Sequence, residues 1–361
     1  MNRITIDLDA LEYNLDVIRG WIEGHGAALT VVTKALCGHR ETIEALRDLG
    51  VDSMSDSRLD NLEVVKDVAP DVETWYLRPP HSSALDDVVR LSDVSLNTEL
   101  EIVKELNEEA RQQNTVHRVV VMIELGDLRE GILPGRLLQT YKQIFELPNI
   151  RVVGIGANLG CLGGVVPSVD QFMQLALYRE LLELKFERKL PLISAGSSSA
   201  LPLLVDGSLP KQINHFRVGE SVFLGTNLIL GGTLEGLRGD AVRLEAEIVE
   251  IKEKGMVPLG ETTEMTPFQP VEDTEETDPG QRGYRAIVTV GQVDTDIAGL
   301  TPVCEDHRIA GASSDLTVVN VGDEKEGLSV GARIGFRTAY SAFVRLMANP
   351  YTEKALLRHS G

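Results

Sequence analysis

Eight short apolar runs, each followed by a stretch of helical periodicity, limit what this chain can fold into more than any other feature of its sequence. The runs are rich in valine and isoleucine, as parallel strands covered on both faces tend to be. They lie at 29–33, 52–55, 74–77, 93–96, 117–124, 151–157, 192–194 and 213–216. Between them lie amphipathic stretches such as 98–113, in which one stripe carries Leu100, Val103, Leu106 and Ala110. Repeated βα units predict a TIM-type (β/α)8 barrel, with a doubly wound open sheet as the alternative.

The pattern changes after about residue 225. The segments 242–252, 284–291, 316–321 and 332–337 alternate or cluster β-branched residues, and glycines and prolines separate them. This predicts a barrel over 1–225 and a smaller, mostly β-strand domain over 226–361. The total of 361 residues fits a barrel of roughly 250 residues with one smaller domain. The stretch 261–283 is acidic and rich in threonine and proline, which is typical of an exposed loop or insertion.

Composition narrows the class of partner and the compartment. The formal net charge of −20 repels phosphate backbones and anionic lipid headgroups, which argues against nucleic acid and membranes as partners. The apolar fraction of 43 % is enough for a core and argues against a disordered chain. Cys37, Cys161 and Cys304 are odd in number and far apart, which favours a reducing compartment. With no apolar signal core at the N-terminus, the sequence predicts a cytoplasmic protein.

Residues that follow the predicted strands suggest an active site, because the loops after the carboxyl ends of barrel strands build it in this fold. One lysine, several arginines, hydroxyls and glycines stand there: Lys34; Ser55, Asp56 and Ser57; Arg78; Asn97; Gly126 to Gly131; Asn158; Gly196 to Ser199; and Arg217 to Glu220. That inventory suits an anionic, phosphorylated ligand and an amine nucleophile.

Lys34 and the glycine–serine loop each allow two interpretations. Lys34 follows a run that should be buried, so its amine can form a Schiff base with an aldehyde, or its side chain can simply extend to the rim of the barrel. The loop 196–199, GlySerSerSer, can be a turn with a helix N-cap. Its backbone N–H groups and hydroxyls also suit a phosphate, and the late barrel loops are where such sites recur.

Three other motifs fail. Gly154-Ile-Gly156 lacks the third glycine of a dinucleotide fingerprint, and the loop at 196 lacks the last glycine of a nucleophile elbow. Cys304 and His307 are two plausible zinc ligands without a second pair nearby, so no metal is expected.

Taken together, these motifs resemble the alanine-racemase-like, fold-type III enzymes that use pyridoxal 5′-phosphate (PLP), and within them the ornithine-racemase-like branch. ValValThrLysAla at 31–35 is similar to the first-strand motif whose lysine, Lys34, carries PLP, although Cys37 stands where the family usually has a tyrosine. GlyAspLeuArgGluGly at 126–131 resembles the loop whose arginine, Arg129, approaches the phenolic oxygen of the cofactor. The serine loop and ArgValGlyGlu at 217–220 match the remaining cofactor contacts. The resemblance implies that PLP is bound by Lys34, Arg129, Asn158, Ser197, Ser198, Arg217, Gly219, Glu220 and Tyr351.

The resemblance also implies a homodimer. GlyAlaSerSerAsp at 311–315 resembles a loop that the partner subunit offers to the active site. AspSerArgLeuAspAsnLeu at 56–62 and GlyGlnValAspThrAsp at 291–296 resemble the ornithine-racemase-like branch in particular. Each loop should then complete the site of the other subunit, in an isologous arrangement.

The implied activity is racemisation of a free amino acid. In the family the counterpart of Arg217 pairs with the pyridine nitrogen of PLP, which makes a shallower electron sink than a carboxylate partner does. A shallow sink favours return of the proton over decarboxylation. The alternatives are a decarboxylase, or an aldolase or dehydratase, on the same fold, and a non-catalytic PLP carrier, which typically lacks the second domain.

Two details of the reaction remain hypotheses. Gln292 stands where the alanine racemases have a proton-carrying tyrosine, and an amide cannot replace it. The chain therefore uses another group or follows a one-base route. The candidate groups are Asp294, Asp296, Tyr340 and Tyr351, with Asp294 preferred. The substrate is expected to be a basic diamino acid, ornithine-like or lysine-like, with an alanine-like amino acid as the alternative. The acidic residues that could pair with its distal ammonium are Asp127, Glu130, Asp294 and Asp296.

Overall fold

The computed structural model describes residues 2–257, 280–325 and 327–359, and the chain forms two compact units, 12–238 and 1–11 with 239–361. The unit around the barrel runs beyond residue 225, where the sequence predicts a boundary, and residues 1–11 belong to the second unit. Where one folding domain ends and the next begins stays a prediction. No helix in the described part of the chain is long and apolar enough to cross a bilayer.

Eight parallel strands close into a barrel in the order in which they occur in the chain. After β1 (Arg3–Asp7), which belongs to the other unit, these strands are β2 (Ala28–Val32), β3 (Ser53–Asp56), β4 (Glu73–Tyr76), β5 (Val94–Asn97), β6 (His117–Met122), β7 (Ile150–Gly156), β8 (Leu192–Ser197) and β9 (His215–Val218). Strand β9 pairs with β2 and closes the barrel. The predicted (β/α)8 barrel and all eight of its predicted strands are therefore confirmed, and the open sheet is not formed.

The helices of the chain are α1 (Leu8–His25), α2 (Arg40–Asp48), α3 (Leu59–Val68), α4 (Leu85–Leu91), α5 (Leu100–Gln112), α6 (Leu137–Ile144), α7 (Val169–Phe186), α8 (Leu201–Val205), α9 (Glu220–Leu224) and α10 (Tyr340–Ala348). Helix α5 buries Val103, Leu106 and Ala110, which belong to the stripe predicted from its periodicity. Helix α7 begins at a capping box, in which Ser168 and Gln171 satisfy each other's backbone N–H groups.

The barrel strands bury both apolar and polar side chains. Strands β4 to β7 share a buried apolar cluster: Trp75, Val94, Leu96, Val120, Met122 and Val153. Strands β2, β3, β8 and β9 also bury polar side chains, among them Thr30, Ser53, Ser194 and His215. The rings of Trp75 and His215 stack with centroids 4.3 Å apart. Because β4 and β9 are not neighbours in the barrel, this contact crosses its interior.

The second unit is built on an eight-stranded sheet with the order β12-β15-β10-β11-β14-β13, to which β1 and β16 are added through β10. Its remaining strands are β10 (Val242–Gly255), β11 (Arg282–Val288), β12 (Leu300–Pro302), β13 (Arg308–Ala312), β14 (Thr317–Gly322), β15 (Arg333–Thr338) and β16 (Glu353–Leu357). The mostly-β character and the four predicted strands are confirmed. Most of the predicted loop, 261–279, lies outside the described residues, and Arg282 and Gly283 already open β11.

Four strands of this sheet were not predicted: β1, β12, β13 and β16. Strand β12 is only 3 residues long, too short for a periodic signal. Strand β1 pairs in parallel with β16 at the other end of the chain, so no hairpin signal links the two segments.

Candidate active site

Lys34 lies directly beyond the carboxyl end of β2 and is half-buried. It opens a short 3-10 turn, Lys34–Leu36, which ends at Cys37 in the left-handed region with φ of 49°. The residue before it, Thr33, is anchored twice to the neighbouring strand. Its N–H donates to the carbonyl oxygen of Ser55 at 2.8 Å, and its Oγ1 donates to Oδ2 of Asp56 at 3.0 Å. The backbone that carries the lysine is therefore fixed to β3.

Asp56 is the anchor on that side and is fully buried. Its Oδ1 accepts from the backbone N–H of Ser57 at 2.7 Å and of Arg58 at 2.9 Å, and from Nδ2 of Asn61 at 3.1 Å. Burial raises the pKa of the Asp56 carboxyl, and these hydrogen bonds oppose that shift. The sequence placed Asp56 at a strand end without this role. Its position just before helix α3, where a carboxylate can accept from backbone N–H groups, was the available signal.

Arg217 lies near the end of β9 and is 7 % exposed. Its Nη1 donates to the carbonyl oxygen of Ser194 at 2.7 Å and also to Oγ of Ser194, and its Nη2 donates to the carbonyl oxygen of Ala157 at 3.1 Å. In the described part of the chain no carboxylate forms an ion pair with it. Burial lowers the pKa of Arg217 to about 10, so the guanidinium stays charged near neutral pH. Since a guanidinium has five N–H donors, two are left for a ligand.

The serine loop and the start of α9 come together at the ends of β8 and β9, because Ser197 is in register with Arg217. The Oγ atoms of Ser197 and Ser199 are 2.8 Å apart, and Oγ of Ser198 accepts from the backbone N–H of Ser221 at 3.3 Å. At Gly219 a Cβ atom would lie 2.8 Å from the carbonyl oxygen of Val32, so only glycine fits against β2. The serine hydroxyls and the side-chain-free backbone at Gly219 therefore lie together at the carboxyl ends of β8 and β9.

Glu220 brings Lys34 to the same end of the barrel. Burial raises the pKa of the Glu220 carboxyl, while a side-chain hydrogen bond to Thr226 and the charge of Lys34 lower it. The lysine on the first barrel strand and the motif on the last are therefore close enough to interact. The half-buried Asn158 lies nearby in the chain, directly after the Ala157 carbonyl that binds Arg217.

The loop after β6 is held by its own acidic residues. The carboxylate of Glu124 accepts from the backbone N–H groups of Gly126, Leu128 and Arg129. Arg129 forms an ion pair with Glu130, and its Nη1 lies 3.1 Å from Sγ of Cys161.

Asp127 does not serve the role expected of it. It is 2 % exposed, and its carboxylate accepts from the backbone N–H of Leu162 at 3.1 Å and of Gly163 at 3.3 Å. These bonds fasten the loop after β6 to the loop after β7. Asp127 is therefore not free to pair with a substrate ammonium, and that expectation is corrected.

In the second unit, the two family-like loops bind each other. The backbone N–H of Gln292 donates to the carbonyl oxygen of Ser313 at 2.9 Å, and that of Val293 to Ser314 at 3.0 Å. Nε2 of Gln292 donates to the carbonyl oxygen of Ala312 at 3.1 Å. A Cβ atom at Gly291 would lie 2.2 Å from the carbonyl oxygen of Ser314. The segments 291–296 and 311–315 therefore form one surface of that unit.

The two aspartates of this surface differ. Asp294 accepts from the backbone N–H of Gly291 through Oδ2 and from Nδ2 of Asn349 through Oδ1, both at 3.0 Å. The half-buried Asp296 forms no ion pair or side-chain hydrogen bond with the residues that the structure describes. Tyr351 is 78 % exposed and Tyr340 half-buried.

Other candidate sites do not carry this chemistry. Among the described residues, neither Cys304 nor His307 belongs to a group of three possible metal ligands. A cavity of about 950 Å³ lies at the opposite, amino-terminal ends of the barrel strands, where Thr30, Ser53, Trp75 and His215 help to line it.

Comparison with known proteins agrees with this geometry. Residues 6–227 match the family model described as "Alanine racemase, N-terminal domain". The chain is 38 % identical to the ornithine racemase of Acetoanaerobium sticklandii, over 98 % of this chain and 99 % of that protein. It is 31 % identical to the lysine racemase of Thermotoga maritima, over 98 % and 97 % of the two chains.

Solved structures share the fold. The alanine racemase from Streptomyces coelicolor A3(2) superimposes with a TM-score of 0.75 at 18 % identity, covering 99 % of this chain and 98 % of that one. The alanine racemase from Bartonella henselae, solved with covalently bound pyridoxal phosphate, gives a TM-score of 0.73 at 15 % identity and covers 99 % of both chains.

Proposed function

Because this chain belongs to the alanine racemase family and is an amino-acid racemase that uses PLP, we propose that its substrate is a basic diamino acid such as ornithine or lysine. The observation that carries the proposal is that both relatives matching the whole chain are racemases of basic diamino acids. The carboxylate of Asp296, which has no side-chain partner among the described residues, supports it, since such an acid is the group that a distal ammonium would bind.

The residues at the barrel mouth fit PLP. Arg217 keeps two N–H donors and has no carboxylate partner among the described residues, which suits the unprotonated ring nitrogen. Gly219 offers bare backbone at a position where a Cβ has no room. When bound, PLP withdraws electrons from the substrate and makes its α-proton removable. We assign the covalent link to Lys34, the ring nitrogen to Arg217 and the phenolic oxygen to Arg129. The phosphate is assigned to Ser197, Ser198, Gly219 and Glu220, with Asn158 and Tyr351 completing the set.

Racemisation removes the α-proton from one face of the α-carbon and returns one to the other face, and a two-base route uses a proton carrier on each face. Lys34 Nζ takes or returns the proton on one face. For the other face we retain Asp294, which lies on the turn that follows Gln292 and whose oxygens are held by Gly291 and Asn349. In the same loop Asp296 is assigned to the distal ammonium of the substrate.

The partner we propose is a second copy of this chain. In that homodimer, the surface formed by 291–296 and 311–315 of one subunit completes the site of the other. The support is the hydrogen bonding between the two loops, which makes them one preformed surface.

The test is to incubate the purified protein with PLP and single L-amino acids, and to resolve the products by chiral chromatography. Ornithine and lysine should give their enantiomers with kcat/KM at least about tenfold above that for alanine, an effect of about 1.4 kcal/mol. Comparable kcat/KM for alanine and ornithine would defeat the substrate assignment. An amine product with release of carbon dioxide would indicate a decarboxylase instead.

A further inference from the structure

We propose that His215 is a positioning residue for Arg217 and acts through the hydroxyl group of Ser194 inside the barrel. The proposal rests on the proposed function of Arg217 as the group that faces the ring nitrogen of PLP. It adds two residues to the machinery, neither of which reaches the mouth of the barrel itself.

A continuous chain of short polar contacts carries the proposal. Arg217 Nη1 donates to both the carbonyl oxygen and Oγ of Ser194. Oγ of Ser194 lies 2.8 Å from Nδ1 of His215. On the other side of the ring, Nε2 of His215 lies 3.0 Å from Oγ1 of Thr30, which lies 2.7 Å from Oγ of Ser53. Four of these five residues are at most 7 % exposed, and Ser53 is 8 % exposed.

The direction of the donors along this chain follows from Arg217. A guanidinium only donates, so Oγ of Ser194 must accept from it, and the hydroxyl hydrogen of Ser194 is left to point elsewhere. Nδ1 of His215 is the neighbouring acceptor, which places the ring hydrogen on Nε2, facing Thr30. Burial and the charge of Arg217 lower the pKa of His215 to about 3, so the ring is neutral at working pH and can accept at Nδ1.

The imidazole is held in place independently of these bonds. Trp75 stacks on it with an interplanar angle of 14° and a centroid separation of 4.3 Å. A ring clamped on its face keeps Nδ1 aimed at Ser194. Without that acceptor the Ser194 hydroxyl would be free to rotate, and one of the three protein acceptors of Arg217 would lose its fixed orientation.

These contacts orient Arg217 without a carboxylate partner among the described residues. Neutral acceptors on β8 and directly after β7 hold one end of the guanidinium, and the two N–H groups with no acceptor among the described residues remain available to a ligand. A carboxylate in the same place would bind the guanidinium more strongly and would compete with a neutral ring nitrogen for its donors. The His215–Ser194 pair orients Arg217 while leaving it available.

The variants that test this are His215→Leu, His215→Asn and Ser194→Ala. Leucine removes both ring nitrogens, whereas an asparagine amide can reproduce the contact near Nδ1. Ser194→Ala removes the relay with the loss of one oxygen atom, so it also covers the case in which the leucine variant does not fold. The matched control is His117→Asn, because His117 is an equally buried histidine of the barrel that contacts a serine hydroxyl, Ser95 Oγ, at 2.8 Å.

Each holoenzyme is measured for its visible absorption band, its dissociation constant for PLP, and kcat and KM separately. We expect His215→Leu and Ser194→Ala to shift the band and to lower kcat between about 10- and 100-fold with KM within about threefold, as a misaligned group would. His215→Asn should restore the wild-type band and most of kcat. His117→Asn should lower thermal stability and leave band and kcat unchanged.

Two results would overturn the proposal. One is a wild-type band and kcat in Ser194→Ala or in folded His215→Leu, which would mean that the polar chain only stabilises the barrel. The other is an equal change in His117→Asn, which would mean that any buried histidine has this effect. A wild-type protein that shows no visible band with PLP and no racemisation would refute the proposed function itself, and that outcome is distinct from either of these.

Discussion

The backbone that carries the half-buried Lys34 is fixed to the neighbouring strand β3. Thr33 binds β3 through both its backbone and its hydroxyl group, while Glu220 supplies the nearby opposite charge. The backbone before the lysine is therefore fixed, and a carboxylate, Glu220, lies close enough to interact with its amine. Those are the conditions under which a single amine can serve both as the cofactor link and as a proton carrier.

Lys34 is expected to be the only lysine that carries PLP. Borohydride reduction followed by peptide mapping should locate the cofactor on Lys34, and Lys34→Ala should lose the visible band and at least about 1,000-fold in kcat/KM. The control is Lys142→Ala, which changes an exposed lysine on α6. A label on any other lysine would refute the assignment.

Asp294→Asn tests the second proton carrier. The substitution keeps the shape of the side chain but leaves one acceptor oxygen for two donors, so it keeps the hydrogen bond from either Gly291 or Asn349 and loses the other. In deuterated water we expect loss of racemisation with retained α-hydrogen exchange from one enantiomer, because Lys34 still serves one face. Unchanged racemisation in both directions would exclude Asp294.

Asp296→Asn separates binding from proton transfer. Removing the charge should raise KM for ornithine at least about tenfold, since a charge-assisted contact is worth about 1.5–3 kcal/mol. The kinetic constants for alanine, which has no distal ammonium, should stay within about twofold. An equal rise in KM for both amino acids would show that Asp296 does not bind the distal ammonium of the substrate.

At the scale of elements, the barrel is held together by polar contacts between neighbouring strands as well as by its apolar cluster. His117 of β6 contacts Ser95 of β5 at 2.8 Å and is 3 % exposed. Burial lowers the pKa of His117 from 6.5 to about 4, and the charge of Arg118 acts in the same direction. The barrel therefore needs this histidine to be neutral.

The pH dependence of stability follows from that shift. With the folded pKa below the unfolded one, the unfolded chain binds a proton that the folded chain does not, so stability is present above pH 6.5 and is lost as the pH falls toward 4. At about 1.4 kcal/mol per pKa unit, the loss from His117 is on the order of 3 kcal/mol. His117→Asn should remove about one proton from the uptake on unfolding, measured from urea midpoints between pH 7.5 and 4.5. An unchanged pH slope would contradict this origin.

For the molecule as a whole, the proposed dimer predicts how much activity a mixture of two inactive variants should recover. If the surface formed by 291–296 and 311–315 completes the partner's site, two inactive variants can rescue each other. Lys34→Ala removes the lysine from the barrel. Asp296→Lys places a positive charge in the loop, where it would repel the distal ammonium of the substrate. A mixed dimer then contains one site with a normal lysine and a normal loop.

Light scattering should give twice the chain mass. Co-refolding equal amounts of Lys34→Ala and Asp296→Lys should recover about a quarter of wild-type activity toward ornithine, because half of the dimers are mixed and each has one intact site. Each variant refolded alone should stay inactive and serves as the control. An active wild-type monomer, or no recovery in a mixture shown to contain mixed dimers, would refute shared sites.

What the sequence alone determined is local. The alternation of short strand-like runs with stretches of helical periodicity repeats eight times, so all eight strands were predicted, and the position of Lys34 after the first of them followed. Short motifs predicted the serine loop and the segment at 217–220 as parts of the candidate site, because the residues of each motif are adjacent in the chain.

What only the tertiary structure decided are the partners that lie far apart in the chain. Arg217 meets acceptors 23 and 60 residues away, His215 meets Thr30 from 185 residues away, and β1 joins a sheet with the opposite end of the chain. Asp127 was expected at the mouth and is instead buried beneath a neighbouring loop. A sequence pattern reports which face a residue presents, whereas the closure of the barrel decides which side chains from distant strands meet there.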